Sequence, residues 1–224
     1  MARIPYLPED LSEPAEVVAA IRRRRGGSLL HLDRMLLHSP PLARGWNVFL
    51  GAVRGELVLE ARLRELAMCS VAVLNGADYE FAQHAPLLAE AGASEAQIAA
   101  LHWPDRAVKD EALFSAAERA ALTVIVAMTR DIKVDEADMD RLRRYLTDRE
   151  VVELCAVTAA YNMVSRFLVA TGIHARDAFP QEPGEVQEPA EVQEPGEVQE
   201  PAEVQEPGEV QEPGEVQDKG TSQA

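Results

Sequence analysis

A glutamate and a histidine stand four residues apart in the segment after the turn signal Asn75-Gly76. At this spacing Glu80 and His84 share one face of a helix. A carboxylate can orient an imidazole and raise its proton affinity, and the imidazole can then move a proton near neutral pH. Glu65 lies in the preceding apolar segment, where a buried carboxylate needs a partner. Glu65, Glu80 and His84 are therefore the candidate catalytic groups.

The same three residues have two other possible uses. An ordinary surface ion pair at this spacing stabilises a helix by roughly 0.2–0.5 kcal/mol, and such pairs are common. Carboxylate and imidazole groups also suit several divalent metal ions. No second histidine lies near the motif, and neither cysteine does. Metal-free proton transfer therefore ranks above metal binding, and the sequence has no phosphate loop, nucleophile elbow or zinc motif.

The elements that must position these residues are all predicted to be helices. Ser94, Ser115 and Thr147 each begin a capping box, and Asp135 can cap a further helix. Pro86 should kink its helix or end the regular part just past His84. No segment alternates with period two, so no sheet is expected. Helices are predicted near 12–25, 28–38, 41–54, 58–75, 78–91, 94–101, 115–131, 136–146 and 148–171.

Composition supports a helical domain with a substantial core. Hydrophobic residues make up 47% of the 224 residues, and aromatic residues only 5%. In the segments Leu57 to Leu74 and Val151 to Ile173, apolar residues circle most of the helix. Such helices are buried on nearly all sides, in a core or in a subunit interface. A homo-oligomer is therefore expected.

Charge and cysteine usage indicate a soluble cytoplasmic protein. Cys69 and Cys155 lie in apolar helical patterns, so they are predicted to be core residues in a reducing compartment. The first ten residues lack the apolar core of a signal peptide, and no uninterrupted apolar stretch is long enough to span a bilayer. The basic run Arg22 to Arg25 precedes two glycines and is interpreted as a solvated helix end. Neither a nucleic acid nor a membrane is expected as a partner.

The chain divides after Pro180. From Gln181 onward it repeats QEPGEV or QEPAEV in six units. Residues 181–224 contain 12 Glu, one Asp and one Lys, a net charge of −12, which leaves −4 of the total −16 for the first 180 residues. One valine per unit cannot offset the entropy of ordering the others. The predicted domains are an all-α domain at 1–180 and a disordered acidic tail at 181–224.

Several ordered motifs carry a family resemblance. They are RELA at 64–67, NGADYEFAQH at 75–84, the pair AG at 91–92 and YNMVSRF at 161–167. Together they resemble the core motifs of the carboxymuconolactone decarboxylase and alkylhydroperoxidase D-like superfamily over roughly residues 30–175. The resemblance implies an all-α helical bundle of that type, assembled as a trimer or hexamer.

The resemblance also bears on the chemistry. The peroxidase-type branch needs a Cys-x-x-Cys pair, whose positions fall on Ala77 and Glu80, so both thiols are absent. The Tyr-Glu-Phe-x-x-His form instead resembles the decarboxylase branch, which acts on a γ-lactone bearing a carboxylate and needs no cofactor. This implies His84 as proton donor or shuttle, Glu80 as its orienting partner or as a relay, and Glu65 as a buried second relay member.

Substrate-binding candidates are less sharply defined. Arg64 and Arg166 are candidates for anchoring a substrate carboxylate, although Arg64 points to a different helix face from Glu65, with a merely solvated side chain as the alternative. Tyr161 belongs to the motif of the last long helix, and Trp46 is a pocket candidate for which packing is the safer assumption. Three functions follow: a cofactor-independent lyase acting on a small carboxylated, lactone-like substrate, an alkylhydroperoxidase-like redox protein, and a non-catalytic oligomeric scaffold that displays acidic tails.

Overall fold

The computed structural model describes residues 2–178, and these residues form eleven helices and no strand. The predicted all-α class is therefore confirmed, while the predicted tail at 181–224 lies outside the described residues. The two helices not predicted are the four-residue turns Pro104–Ala107 and Ala175–Ala178. The helices are α1 (Ala15–Arg25), α2 (His31–Leu36), α3 (Pro40–Gly55), α4 (Ala61–Leu74), α5 (Asp78–Glu90), α6 (Glu95–Ala100), α7 (Pro104–Ala107), α8 (Ala116–Arg130), α9 (Glu136–Leu142), α10 (Asp148–Thr171) and α11 (Ala175–Ala178).

Local capping explains where several of these helices begin. The boxes predicted at Ser94, Ser115 and Thr147 form, and in each the capping hydroxyl accepts a hydrogen bond from the third helical amide. Asp135 occupies the N-cap position of α9, but its side chain makes no capping hydrogen bond, so that part of the prediction is wrong. An unpredicted cap begins α2, where Asp33 Oδ2 accepts from the Leu30 amide at 3.0 Å.

Helix α4 is the centre of the bundle. It packs against α5, α8 and α10, and its buried residues run continuously from Glu65 to Ala72. The expectation that this apolar segment is buried on nearly all sides is confirmed. Because Glu65 falls within the buried run, the fold carries a carboxylate into the core and must supply it with partners.

Helix α10 is less enclosed than the sequence suggested. It is long and apolar enough to cross a membrane by length and composition, contrary to the expectation of no such stretch. Half of the apolar window is buried within the domain, and the helix packs against α3, α4 and α8. These contacts are those of a core helix. Its opposite side leaves an exposed stripe of Val152, Ala159, Met163 and Ala170.

The connection between α4 and α5 sets the positions of the candidate acids. Gly76 takes a φ of +64°, which favours glycine, and Asn75 Nδ2 donates to Asn162 Oδ1 of α10 at 3.0 Å. Helix α5 continues through Pro86 to Glu90. It does not end just past His84, which was one of the two outcomes expected from Pro86.

Candidate active site

His84 lies between two carboxylates. Its Nδ1 is 2.6 Å from Glu65 Oε2 of α4, and its Nε2 is 3.0 Å from Glu80 Oε1 one turn earlier on α5. All three residues are buried, with exposed fractions of 4% for His84, 6% for Glu65 and 2% for Glu80. The surface ion-pair interpretation is therefore wrong for this cluster. Adjoining helices bring the three predicted catalytic side chains into direct contact.

Tyr161 and Arg54 complete the cluster. The Tyr161 hydroxyl lies 3.0 Å from His84 Nε2 and accepts a hydrogen bond from Arg54 Nε at 2.7 Å. Arg54 Nη2 is 3.5 Å from Glu80 Oε1. The third nitrogen, Nη1, is buried and has no hydrogen-bond partner in the described chain. An unpaired buried guanidinium N–H is costly, so this atom is available to a ligand oxygen.

Arg54 was not among the candidates chosen from the sequence. It lies four residues after Leu50, one turn further along the face by which α3 meets the core. An arginine at a core-facing position needs a buried anionic partner. That periodic position was the signal that could have identified it.

The electrostatics of the cluster favour a protonated imidazole. Burial by itself lowers the pKa of His84, but hydrogen bonds to Glu65 and Glu80 outweigh burial and raise that pKa above its ordinary value. Burial raises the pKa of Glu80, but the hydrogen bond and charge of His84 and the charge of Arg54 lower it overall. Burial raises the pKa of Tyr161. These directions favour an imidazolium at His84 beside an ionised Glu80 and a neutral Tyr161.

Two cavities open beside His84. The larger, of about 390 Å³, is lined by Arg54, Arg64, Glu65 and His84, together with Ala61, Leu87, Glu90 and Ala91. Its volume falls within the range typical of small-molecule sites. A smaller cavity of about 100 Å³ lies against Arg54, Glu80 and His84 and extends toward the N-terminal helices. The imidazole lines both cavities.

The four substrate-binding candidates separate into two groups. Tyr161 touches His84, and Arg64 lines the larger cavity with its Nε 3.7 Å from Glu65 Oε1, so Arg64 is not merely solvated. Arg166 is exposed, and its Nη1 donates to the Asn162 side chain at 2.7 Å, away from both cavities. Trp46 is buried against Phe167, with ring centroids 5.4 Å apart. Neither Arg166 nor Trp46 lines the two cavities beside His84, so a substrate contact by either residue stays a prediction.

The basic run at the end of α1 is not simply a solvated helix end. Arg25 Nε lies 3.1 Å from Asp33 Oδ2, and Arg24 Nη2 lies 3.7 Å from Asp33 Oδ1. Asp33 is only 2% exposed. A buried carboxylate therefore draws two of the four arginines inward, and Arg23 remains exposed.

The cysteines do not supply reactive thiols to the cluster. Cys69 is fully buried one turn after Glu65, and burial and the Glu65 charge raise the pKa of its thiol. Cys155 is half-buried on α10, and burial raises its pKa as well. Neither lines the two cavities. Among the described residues, no group of three His, Cys, Asp or Glu side chains could hold a metal ion.

A family model matches the central segment of the chain. Residues 40–127 match the model of the carboxymuconolactone decarboxylase family. This segment contains Arg54, Glu65, Glu80 and His84, and Tyr161 lies beyond it. No curated protein matches the chain.

Solved structures show the same fold at low sequence identity. An uncharacterized peroxidase-related protein with an alkylhydroperoxidase AhpD core, from Ralstonia eutropha JMP134, aligns with a TM-score of 0.65 at 21% identity, over 80% of this chain and 94% of its own. A peroxidase-related protein from Silicibacter sp. TM1040 aligns with a TM-score of 0.64 at 20% identity, over 76% and 90%. The apo debrominase Bmp8 aligns with a TM-score of 0.62 at 16% identity, over 75% and 88%. The domain therefore has the AhpD-like fold of these proteins, which confirms the fold that the resemblance implied.

Proposed function

We propose that this protein is a cofactor-independent enzyme that transfers a proton to carbon during decarboxylation of a small carboxylated, lactone-like substrate. The observation that carries the proposal is a buried imidazole, held between two carboxylates, at the wall of a cavity that also offers an unpaired arginine N–H. An acid at His84 and a donor at Arg54 are the two groups that such a reaction needs from a protein.

The reaction consists of loss of CO2, stabilisation of the resulting oxyanion and protonation of carbon. The bond between the ring carbon and the carboxylate breaks, CO2 leaves, and the electron pair moves into the lactone carbonyl to give a dienolate. Arg54 Nη1 donates to the developing oxyanion, which is the step at which a prearranged donor contributes most. His84 then gives its proton to carbon, so the substrate carboxylate and one proton become a C–H bond and CO2.

The two carboxylates have separate tasks in this scheme. Glu65 holds Nδ1 at 2.6 Å and keeps the ring oriented. Glu80 lies near Nε2, and Tyr161 also contacts that nitrogen. We assign the proton on Nε2 as the transferred one. The contact of Glu65 with Nδ1, at 2.6 Å, is shorter than the contact of Glu80 with Nε2, at 3.0 Å. Glu65 and Glu80 both stabilise the imidazolium, which is restored by a proton from solvent.

The thiol peroxidase alternative has weaker support. Two of the solved relatives are described as peroxidase-related, but that chemistry needs an accessible thiolate and a resolving thiol. Cys69 is fully buried with a raised pKa, and Cys155 lies on another helix away from the cavities. The exposed apolar stripe on α10, which includes Val152 and Met163 at 67% and 41% exposure, supports a homo-oligomer as a further part of the proposal.

The test is decarboxylation in D2O of a γ-lactone that carries a carboxylate, with CO2 release and carbon-bound deuterium followed by NMR. His84→Gln should lower kcat by about 100-fold or more, because general acid catalysis contributes factors of this size. The matched control is His102→Gln, which changes an exposed histidine outside both cavities. Unchanged turnover by His84→Gln would reject the proposal. Peroxide reduction by the Cys69→Ser/Cys155→Ser protein would reject the argument that peroxidase chemistry here needs a thiol.

A further inference from the structure

Another cavity lies beside α8 and has no task in the proposed reaction. Its volume is about 350 Å³, which is within the range typical of small-molecule sites. Its walls come from α8, from the chain that connects α7 to α8, and from α9 with the turn that follows it. None of its lining residues lines either cavity beside His84. A ligand bound here would therefore occupy a second site.

Helix α8 forms the floor of this cavity. The lining residues Ala116, Arg119, Ala120 and Thr123 are three or four positions apart and share one helical face. The two alanines have small side chains, which leaves room above the helix. The Thr123 hydroxyl donates to the Arg119 carbonyl at 2.8 Å and is satisfied within the helix. The floor is thus mainly apolar, with one cationic group.

That cationic group, Arg119, is held in place by the protein. Its side chain is only 21% exposed. Its Nη1 donates to the Phe114 carbonyl at 2.6 Å, and its Nη2 donates to Glu111 Oε1 at 3.0 Å. Each of these nitrogens carries a second N–H. Because a fixed guanidinium loses little conformational freedom when it binds an anion, Arg119 is a prearranged anion contact.

Two further cations line the cavity from different segments of the chain. Lys109 lies between α7 and α8, is exposed and forms no ion pair among residues 2–178. Arg141 of α9 lies 3.5 Å from Asp138 and is 55% exposed. The lining contains three cations and one carboxylate, Glu111. With Asp138 counted as well, one positive charge remains, so the cavity favours an anionic ligand.

The carboxylates closest in sequence to Lys109 are engaged elsewhere. Asp110 Oδ1 accepts hydrogen bonds from two backbone amides of the following turn, each at 3.0 Å. Asp105 Oδ1 accepts from Arg130 at 2.6 Å, and that hydrogen bond is the main reason why the pKa of Asp105 is lowered, with a smaller contribution from the Lys109 charge. The ammonium group of Lys109 is therefore available to a ligand in this cavity.

Tyr145 adds an aromatic group to the cavity. It lies in the turn after α9, is 46% exposed and shares the lining with the apolar side chains of Val108, Ala116 and Ala120. An exposed tyrosine ring offers a surface on which a planar group can pack. A cavity with cations and an aromatic side chain suits a ligand that combines an anionic group with a ring.

We propose that this cavity binds a phosphate monoester that carries a ring. The phosphate contacts Lys109, Arg119 and Arg141, and the ring packs against Tyr145. A phosphate monoester carries a charge of about −1.5 to −2 at neutral pH, which suits three cations better than the single charge of a carboxylate does. The proposal does not depend on the decarboxylation reaction, since the two sites share no lining residue.

The experiment is an NMR titration of the full chain with phenyl phosphate, followed at the backbone amides of Ala120 and Thr123 in the cavity floor. Lys109→Gln and Arg141→Gln should each raise the Kd by about threefold or more, because each removes one partly exposed charge contact. Both side chains are exposed, and neither is part of the core. The matched control is Lys133→Gln, which changes an exposed lysine between α8 and α9 that does not line the cavity.

The ring contact is tested by changing the ligand and the tyrosine. The wild type should bind phenyl phosphate at least about threefold more tightly than inorganic phosphate, which has no ring, and than benzoate, which has a single charge. Tyr145→Leu should remove the preference for phenyl phosphate over inorganic phosphate and leave the affinity for inorganic phosphate unchanged.

Several results would overturn this assignment. The site is rejected if the Ala120 and Thr123 signals show no saturable shift, or if the Kd is the same in the wild type, Lys109→Gln and Arg141→Gln. An equal loss in Lys133→Gln also rejects it, because the attraction would then come from surface charge in general. Inorganic phosphate or benzoate that binds as tightly as phenyl phosphate rejects the ligand class.

Discussion

Replacing Glu65 by glutamine tests whether the buried carboxylates control the protonation of His84. Glutamine keeps the shape of the side chain and can still accept a hydrogen bond from Nδ1, but it removes the charge at 2.6 Å. Glu80 stays in place on the other nitrogen at 3.0 Å. The substitution thus isolates the contribution of one of two charges to the pKa of the imidazole.

The expected size follows from the geometry. Two unit charges about 4 Å apart interact by roughly 4 kcal/mol at an effective dielectric constant of about 20. The hydrogen bond that glutamine retains is worth roughly 1 kcal/mol. The charge of Glu80 still stabilises the imidazolium, which further reduces the loss of interaction energy. A net loss of about 1.4–3 kcal/mol corresponds to a fall of about 1–2 units in the His84 pKa.

The assay is a histidine NMR titration of the wild type and Glu65→Gln, with chemical denaturation at several pH values. The chain has five histidines, so the His84 signal is assigned from His84→Gln. The raised pKa of His84 contributes stability that is complete below its unfolded value, near 6.5, and is lost as pH rises through the folded value. The free-energy difference between the two proteins should therefore be largest near pH 6 and shrink in alkaline solution.

The control is Glu60→Gln, which removes an exposed carboxylate just before the same helix and should leave the His84 titration unchanged. A wild-type His84 that titrates below 6.5 would refute the assigned electrostatics. Equal His84 pKa values in the wild type and Glu65→Gln would show that the Glu65 charge does not act on the imidazole.

Three further results are expected from the contacts around the site. Asp33→Ala leaves Arg25 without its buried partner and removes the cap of α2, so the free energy of unfolding should fall by about 2–4 kcal/mol in urea denaturation; a change under 0.5 kcal/mol would contradict the pairing. Tyr161→Phe leaves the Arg54 Nε without an acceptor, which should lower stability by about 1–3 kcal/mol by the same measurement; an unchanged midpoint would argue against that bond. Cys69 should react with Ellman's reagent only after denaturation, because it is fully buried and its pKa is raised; rapid modification of the native protein at this residue would be inconsistent with the fold.

Helix positions were predictable because their signals are local. The capping boxes at Ser94, Ser115 and Thr147 involve residues three positions apart, so the sequence contains both partners of each bond. The long apolar runs of α4 and α10 can likewise be recognised from the sequence alone. Local signals were not decisive at Asp135, which does not cap its helix, or at Pro86, which does not end α5. Whether a side chain caps or a proline ends a helix depends on competing contacts.

The candidate site was predictable only where its members share a motif. Glu80 and His84 are four residues apart, and Glu65 was marked by its apolar surroundings. Arg54 is 107 residues from its partner Tyr161, and no local pattern joins the two. Trp46 was considered for its residue type alone, which does not distinguish a pocket wall from packing against Phe167.

The sequence alone determined the helical class, the limits of most helices, the absence of a Cys-x-x-Cys pair and the spacing of Glu80 and His84. These follow from residue type and from distances along one helix. Tertiary structure decided that Glu65 meets His84 from the neighbouring helix, that Arg54 and Tyr161 join them, and that Arg25 lines a second cavity. The physical reason is that burial, and the partners that a buried charge requires, are properties of packing between helices that lie far apart in the chain.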